Sequence, residues 1–247
     1  MESDARNNGA RGSRRTLERK GEMACLVLLP GMDGTSTLFS DFTAALPKSI
    51  EAQVIAYPPD RPLNYAELET HVAGQLPTQP FVLLGESFSG PIAIAIAAAA
   101  PSLLRGVVLV CTFAKAPAPS FLGWLPFWRA PTALAAAVLL GRYSSPSRRE
   151  RLSSAMRKVT AETWRARLRT VLSVDVTEKL KAIKVPVLYL RATQDRVVRR
   201  SAWHLMKRSL PAAQLAEVEG PHFLLQAKPV ESAARVAAFA KEVGFAL

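Results

Sequence analysis

The sequence predicts an α/β protein with one doubly wound, mostly parallel β-sheet. The chain has 247 residues, of which 49% are hydrophobic, and this is enough for one sizeable core. Short apolar runs, typical of strands that are buried on both faces of a parallel sheet, alternate with longer helical patterns. This alternation of strand and helix is characteristic of α/β proteins. The predicted strands lie within residues 24–30, 52–58, 81–85, 106–112, 186–192 and 213–220.

Helical patterns separate most of these strands. The second of them begins with Asn64 at the N-cap position and has Glu67 three residues later, which is the spacing of a capping box. The third is rich in Ala and Ile and directly follows the strand at 81–85. The helical patterns cover residues 36–47, 64–77, 91–101, 201–211 and 228–244.

One long interruption of the alternation predicts a second structural unit. No strand pattern lies between Thr112 and Pro186; instead, segments rich in Pro and aromatic residues precede amphipathic, basic helices. We predict that residues 115–182 form a helical cap, or lid. The cap would be inserted into an α/β core that is made of residues 23–114 and 183–247.

Other features of the sequence indicate in which compartment of the cell the protein is expected. Residues 1–22 are polar and lack the apolar stretch of a signal peptide, so they predict a disordered basic tail. The longest apolar stretches, 91–101 and 130–141, are shorter than the about 20 residues that a membrane span needs. Cys25 and Cys111 lie in strand patterns and predict buried free thiols, which suits a reducing compartment. We therefore expect a cytoplasmic protein that is not transmembrane.

The positive charge is concentrated in one region. The whole chain carries a net charge of +12, and residues 129–184 hold 13 Lys and Arg against 4 Asp and Glu, a net +9. Such a region is either a solvated helical face or a platform for an anionic partner, such as an acidic carrier protein or an anionic surface. Because the chain has no recognition motif for nucleic acid, we expect no nucleic-acid partner.

Residues 85–90, Gly-Glu-Ser-Phe-Ser-Gly, join a predicted strand to the Ala-rich helix. A sharp turn at this junction would expose the Ser87 hydroxyl above the sheet, at the positive end of the helix. Small residues at Gly85 and Ser89 would let the turn close. The segment resembles the nucleophile elbow of the α/β-hydrolase family, Gly-x-Ser-x-Gly, with Ser89 in place of the second glycine. The nucleophile would be Ser87, and the amide of Phe88 would face the oxyanion.

A serine nucleophile needs a general base, and the chain has three histidines. His71 and His204 lie inside predicted helices. His222 follows the last predicted strand, in a loop that Gly220 and Pro221 mark. Loops at the carboxyl ends of parallel strands are where α/β enzymes build their sites, so we predict His222 as the base.

The base needs an acid that orients its ring. Asp195 follows the strand at 186–192, where the resemblance places an Asp after a short loop. Ser87, Asp195 and His222 also follow the family order of nucleophile, acid and base. Asp175 is the alternative acid, although its position favours a role as the cap of the helix that follows.

Residues 30–35, Pro-Gly-Met-Asp-Gly-Thr, follow the first predicted strand. Similar hydrolases carry a His-Gly pair in this loop. The resemblance therefore assigns the second oxyanion amide to Met32 and places Gly31 beside the substrate. The loop has neither the Lys-Ser/Thr ending of a phosphate loop nor a dinucleotide-binding pattern, and the chain has no cluster with metal-ligand spacing. We expect no cofactor and no metal.

These residues together predict a serine carboxylesterase with a helical cap, which hydrolyses a small-molecule ester through an acyl-enzyme. A short cap favours short- to medium-chain acyl esters. The cap aromatics Phe121, Trp124, Phe127 and Trp128 would either bind the acyl chain or pack the cap onto the core.

Three alternatives remain open. The chain is also similar in plan to the pimeloyl-carrier-protein methyl esterases. A thioesterase or methyl esterase would therefore use the basic cap to dock a carrier protein that bears the acyl chain. The same triad would also serve perhydrolysis or acyl transfer. The third alternative is a non-catalytic protein with the hydrolase fold that binds a ligand without turnover.

Overall fold

A computed structural model of the protein describes residues 24–117 and 132–246. Within them, six strands form one sheet in the order β2-β1-β3-β4-β5-β6, and every neighbouring pair is parallel. This confirms the predicted fold class. The strands are β1 (Ala24–Leu29), β2 (Ile50–Val54), β3 (Phe81–Glu86), β4 (Leu104–Val110), β5 (Val187–Ala192) and β6 (Gln214–Val218).

Ten α-helices, together with short 3-10 turns, connect and flank the strands of the described residues. The second helix begins at Asn64 with the predicted capping box, in which the Asn64 side chain and the Glu67 side chain each accept a backbone N–H of the other residue. The helices are α1 (Ser40–Ala45), α2 (Tyr65–Ala73), α3 (Gly90–Ala98), α4 (Thr132–Leu139), α5 (Pro146–Arg157), α6 (Ala161–Ser173), α7 (Thr177–Leu180), α8 (Arg200–Ser209), α9 (Leu224–Ala227) and α10 (Pro229–Glu242).

Helices cover both faces of the sheet, which explains why the central strands are mainly apolar. Successive strand residues point to opposite faces, so Val27 and Leu83 enter one core cluster while Leu26 and Leu84 enter the other. The first cluster is completed by side chains of α2, α3 and α8, and the second by side chains of α1 and α10. The edge strands are more exposed: β2 alternates between exposed and more buried positions, and β6 is buried only at its last residue, Val218.

The predicted second strand is shifted along the chain. The sequence pattern covers 52–58, whereas β2 ends at Val54. Ile55 and Tyr57 are nevertheless buried, because the chain turns over the end of the sheet and Tyr57 N donates to the Gly34 carbonyl oxygen at 2.8 Å. An apolar pattern reports burial, and burial continues here beyond the last ladder residue.

Between β4 and β5 the structure describes four helices, α4 to α7, which are called the inserted helices below. The segments that lead into and out of them lie side by side: Ala116 N donates to the Val174 carbonyl, and Val176 N donates to the Ala114 carbonyl, both at 2.8 Å. A small separate core of Leu38, Ala136, Leu140, Leu152 and Ala155 holds α4 and α5 against the segment that follows β1. The inserted helices thus lie over the carboxyl end of β1.

The burial of the central strand β3 can be tested by the free energy that a cavity in this strand costs. Leu83 has no exposed surface, so Leu83→Ala leaves a cavity and should lower the free energy of unfolding by about 2–5 kcal/mol. Val230 on α10 is 67% exposed, and Val230→Ala should change that free energy by less than about 0.5 kcal/mol. Equilibrium unfolding in urea measures both variants, and equal losses would contradict the placement of β3 in the core.

Candidate active site

The strand-to-helix turn at Ser87 carries the candidate nucleophile. Strand β3 ends at Glu86, residues Ser87–Ser89 form a 3-10 turn, and α3 begins at Gly90. Ser87 has φ of +49°, a left-handed conformation that is uncommon for a residue with a side chain. Strain of this kind persists only where the surroundings impose it, and it often occurs at functional sites.

Two glycines let the turn form. A Cβ on Gly85 would lie 2.8 Å from the Ala93 Cβ and 2.8 Å from the Ser89 carbonyl oxygen. A Cβ on Gly90 would lie 1.9 Å from the Thr112 Oγ1, and that hydroxyl donates a hydrogen bond to the Ser87 carbonyl. Both positions therefore exclude any side chain: at Gly85 because strand β3 and helix α3 approach each other closely, and at Gly90 because the Thr112 side chain occupies the space.

His222 meets Ser87 across the carboxyl edge of the sheet. It lies in the loop between β6 and α9, and its Nε2 is 2.8 Å from Ser87 Oγ. Backbone hydrogen bonds hold this loop: Gln194 N donates to the Gly220 carbonyl at 3.0 Å, and Phe223 N donates to the Leu139 carbonyl at 3.0 Å. The second of these bonds joins the histidine loop to the end of α4.

Asp195 lies on the far side of the histidine ring. Its Oδ2 is 2.9 Å from His222 Nδ1, and its Oδ1 accepts the backbone N–H groups of Val197 and Val198, each at 2.8 Å. The side chains of both Asp195 and His222 are only 2% exposed. A carboxylate on Nδ1 selects the tautomer with the proton there, which leaves Nε2 to accept the Ser87 hydroxyl proton.

The alternative acid lies elsewhere. Asp175 accepts the Thr177 N–H at 3.1 Å at the start of α7 and forms an ion pair with Lys115 at 3.0 Å. Hydrogen bonds from Thr177 and the nearby Lys115 ammonium lower the pKa of the Asp175 carboxyl below its ordinary value. This is the helix-start role that the sequence favours for it.

The two predicted oxyanion residues lie on either side of the serine. Met32 follows β1, the neighbour of β3, and contributes to the wall of both cavities at Ser87. Phe88 is buried, stacks on Tyr65 with ring centroids 5.0 Å apart, and accepts the Tyr65 hydroxyl on its carbonyl at 2.9 Å. Gly31 lies between Pro30 and Met32, and its carbonyl accepts the Gly34 N–H at 2.9 Å.

Ser89, which replaces the usual glycine, has partners of its own. It is fully buried; its hydroxyl donates to the Pro30 carbonyl and lies 2.5 Å from the Tyr57 hydroxyl. Burial raises the pKa of the Tyr57 phenol well above its ordinary value, so the phenol stays protonated. Ser89 thereby joins the serine turn to the loop after β1.

Two cavities open at Ser87, and both are lined mainly by apolar side chains. They share Met32, Ser87 and Leu168, and their volumes are about 170 Å³ and 240 Å³. The smaller cavity is walled by Ala135, Leu139, Leu152, Met156 and Trp164 of the inserted helices, and the larger by Phe113, Pro117, Val171, Leu172 and Val197. The cap aromatics that the sequence suggested for substrate binding, Phe121, Trp124, Phe127 and Trp128, lie outside the described residues.

Two buried charged residues near the site carry no sequence signal of their own. Glu86 directly precedes Ser87, at the end of an otherwise apolar strand. Arg167 belongs to the basic region 129–184, for which the sequence predicts either a solvated helical face or a docking platform. Thr163, Arg167 and Val171 recur every four residues and are all buried. This four-residue spacing is the sequence pattern that could have indicated the buried face of α6 and, with it, the burial of Arg167.

Glu86 is 3% exposed and accepts a hydrogen bond from Gln226 Nε2 at 3.0 Å. Burial raises the pKa of its carboxyl from 4.5 to about 7, and the hydrogen bond from Gln226 opposes this shift. Gln226 lies four residues after His222, in the short helix α9 that follows the histidine loop. Glu86 therefore joins the serine turn to the histidine side of the site.

The raised pKa of Glu86 makes stability depend on pH. Between pH 4.5 and 7 the unfolded chain loses a proton that the folded chain keeps, so the free energy of unfolding falls as pH rises, by about 3 kcal/mol in all. Glu86→Gln removes this titration. The variant should gain about 3 kcal/mol relative to the parent between pH 4.5 and pH 8.5, measured by urea unfolding. Parallel pH curves for the two proteins would contradict the burial of an ionisable Glu86.

Among residues 24–117 and 132–246, no group of three or more His, Cys, Asp or Glu side chains is arranged to hold a metal ion. No helix in these ranges is both long and apolar enough to cross a membrane.

Solved structures share this fold at low sequence identity. An enol-lactonase from Burkholderia xenovorans aligns with a TM-score of 0.72 and 18% identity over 92% of each chain. A bromoperoxidase from Bacillus anthracis aligns with a TM-score of 0.77 and 14% identity, covering 90% of this chain and 93% of its own. A protein from a study of carboxylesterases of Nitrososphaera gargenis aligns with a TM-score of 0.76 and 16% identity, covering 90% and 91%.

Sequence comparison places the chain in a family. A curated relative, pyrrolizixenacetamide deacetylase from Xenorhabdus hominickii, is 29% identical over 165 residues, and this match spans 62% of each protein. The model of the alpha/beta hydrolase family matches residues 26–239, which is most of the chain and includes Ser87, Asp195 and His222. Together with the parallel sheet, this match confirms the resemblance that the sequence motifs indicate: the chain belongs to the alpha/beta hydrolase family.

Proposed function

We propose that the protein is a serine carboxylesterase that hydrolyses short- to medium-chain acyl esters. The observation that carries the proposal is an unbroken chain of contacts: Ser87 Oγ lies 2.8 Å from His222 Nε2, and His222 Nδ1 lies 2.9 Å from Asp195 Oδ2. A hydroxyl at the end of such a chain is placed to lose its proton as it attacks a carbonyl.

In the first half of the reaction, Ser87 Oγ attacks the acyl carbon of the ester, and its proton moves to His222 Nε2. The N–H groups of Met32 and Phe88 stabilise the negative charge on the former carbonyl oxygen. Asp195 stabilises the imidazolium. When the carbon–oxygen bond to the alcohol breaks, His222 gives the proton to the departing oxygen, and the acyl group stays on Ser87.

In the second half, water attacks the acyl-enzyme. His222 accepts a proton from this water and returns it to Ser87 Oγ when the acid is released, so the enzyme is regenerated without a cofactor. The name of the acetamide deacetylase relative indicates removal of an acetyl group, which the same steps accomplish when His222 gives the proton to a departing nitrogen in place of the alcohol oxygen.

The dimensions of the site support a small substrate. The two cavities at Ser87, of about 170 Å³ and 240 Å³, share three wall residues and together reach about 400 Å³, which is near the lower end of the range of about 300–1,000 Å³ that is typical of pockets for drug-sized ligands. Their walls are mainly apolar, which favours hydrocarbon groups on both sides of the ester. In this proposal residues 115–182 act as a cap over a core of residues 23–114 and 183–247.

The test uses p-nitrophenyl esters from acetate to palmitate. Turnover should be highest for short or medium chains, and Ser87→Ala and His222→Ala should each lower kcat by about 10⁴- to 10⁶-fold. His204→Ala is the matched control, because His204 is exposed on α8 and should leave kcat unchanged. A folded protein with no turnover on any chain length would exclude this function. A preference for palmitate would exclude the proposed chain-length range.

A second candidate is hydrolysis of acyl chains carried by an acidic protein. Arg149 on α5 and Arg169 on α6 are exposed, and neither forms an ion pair with a carboxylate of the described residues. Unpaired surface cations of this kind steer an acidic partner towards the inserted helices.

Charge reversal separates the two candidates. Arg149→Glu with Arg169→Glu should raise KM for an acyl chain on an acidic carrier protein by about tenfold at low salt, because attraction becomes repulsion. The double variant should leave kcat and KM for p-nitrophenyl butyrate unchanged, since neither residue lines a cavity at Ser87. Equal kinetics of parent and variant on the carrier-bound substrate would remove this second candidate.

A further inference from the structure

One of the buried contacts between the inserted helices and the core involves a charged residue. Arg167 on α6 is 1% exposed, whereas Arg169 on the same helix is exposed. A guanidinium keeps its charge in proteins, and burying it costs free energy unless its N–H groups find partners. The burial of this arginine therefore depends on what surrounds it.

Backbone carbonyls are those partners. Arg167 Nη1 donates to the carbonyl oxygens of Met32 at 2.8 Å and Asp33 at 2.9 Å, and Nη2 donates to the carbonyl of Pro58 at 3.0 Å. The guanidinium carbon also lies 5.8 Å from the ring centroid of Tyr57. None of the described carboxylates lies within ion-pair distance of the guanidinium. Burial lowers the pKa of Arg167, and the more distant charge of Asp33 opposes this shift.

The loop is shaped to admit this side chain. Gly34 has φ of +70°, and a Cβ there would lie 2.7 Å from Arg167 Nη1. Any other residue at position 34 would be strained and would also collide with the guanidinium. The tight turn after β1 and the arginine of α6 therefore fit one another.

These contacts restrain the peptide group that carries the N–H of Met32. Three successive carbonyls in this loop have donors: Ser89 Oγ on Pro30, Gly34 N on Gly31, and Arg167 on Met32. Peptide groups are planar and trans, so the direction of a carbonyl also sets the direction of the N–H on the same peptide. The Gly31–Met32 peptide, which carries the Met32 N–H, is thus held through its own carbonyl and through the carbonyls on both sides.

The Met32 N–H itself donates to no acceptor within residues 24–117 and 132–246. Met32 is partly buried and contributes to the walls of both cavities at Ser87, and a restrained donor without a partner at such a place is what an oxyanion requires. Of the three donors that hold this loop, Arg167 alone comes from the inserted helices.

We propose that Arg167 is a positioning residue, which holds the Met32 amide in the direction that stabilises the oxyanion and so makes the oxyanion hole dependent on the docking of α6. The inference rests on the proposed function, because it assigns the Met32 amide to an oxyanion. Arg167 touches no reacting atom and acts only through the loop after β1. The inserted helices then contribute to the chemical step as well as to the walls of the cavities.

The first experiment compares Arg167→Met with Arg167→Lys and with the control Arg169→Met. Met keeps an unbranched side chain, although a shorter one, without the donors, and Lys keeps the charge without the planar fork that reaches several carbonyls. With p-nitrophenyl butyrate we expect kcat to fall about 100-fold in Arg167→Met and by less in Arg167→Lys, with KM within about twofold of the parent. Arg169→Met should match the parent.

A second readout isolates the oxyanion. An alkyl boronic acid forms a tetrahedral adduct with an active serine, so its inhibition constant should rise in proportion to the loss of kcat in both Arg167 variants. Circular dichroism and thermal unfolding establish that each variant is folded. If Arg167→Met does not fold, Arg167→Lys supplies the same comparison. Higher KM with unchanged kcat and unchanged boronate affinity would overturn the inference, since that pattern belongs to a merely structural arginine.

Labelling of Ser87 by a fluorophosphonate separates this inference from the proposed function. The reagent needs a reactive serine and an oxyanion site but no particular ester. If the parent protein is not labelled, the proposed function fails and the inference fails with it. If the parent and Arg167→Met are labelled at the same rate, only the inference fails. A labelling rate about 100-fold lower in Arg167→Met supports it.

Discussion

The left-handed backbone of Ser87 is the constraint on which the rest of the site depends. A residue with a side chain adopts this conformation at a cost, which is offset here by the buried strand before it and the buried helix after it. The close approach of strand and helix at Gly85, and of the Thr112 side chain at Gly90, leaves room only for a sharp turn. Because the turn is sharp, the hydroxyl stands clear of the sheet and within reach of His222.

The topology of the sheet supplies the partners of this serine. Ser87 and His222 are 135 residues apart in the chain, and His222 and Asp195 are 27 apart. They meet because all six strands are parallel, so the loops after β3, β5 and β6 leave the sheet at the same edge. The chain reverses direction across the sheet between β1 and β3, and such a switch point leaves a crevice in which α/β proteins bind ligands.

Buried polar side chains restrain the loops around that crevice. The loop after β1 is held by Ser89, which also contacts Tyr57, and by Arg167 of the inserted helices. On the histidine side of the site, Glu86 accepts a hydrogen bond from Gln226. Each of these groups would lower stability if its partner were lost, because a buried polar atom without a hydrogen bond is costly. This dependence gives the loops one preferred arrangement.

The sequence by itself determined the features that depend on local pattern. Apolar runs located the strands, Asn64 and Glu67 marked a helix start, and the Gly-Glu-Ser-Phe-Ser-Gly segment located the turn at Ser87. The loop positions of His222 and Asp195 followed from the parallel-strand pattern. The approach of His222 to Ser87, and of Asp195 to His222, within hydrogen-bond distance needed the assembled sheet, because residues far apart in the chain meet only through topology.

Only the tertiary structure decided the roles of the buried polar groups. Arg167 and Arg169 are alike in the sequence, and the packing of α6 on the loop after β1 buries one and exposes the other. In the same way, the sequence shows that Ser89 stands in place of the second glycine of the elbow, and only the structure shows that its hydroxyl donates to the Pro30 carbonyl and lies beside the Tyr57 hydroxyl. The physical reason is that a side chain becomes buried only when distant parts of the chain pack against it, and a short stretch of sequence does not contain those parts.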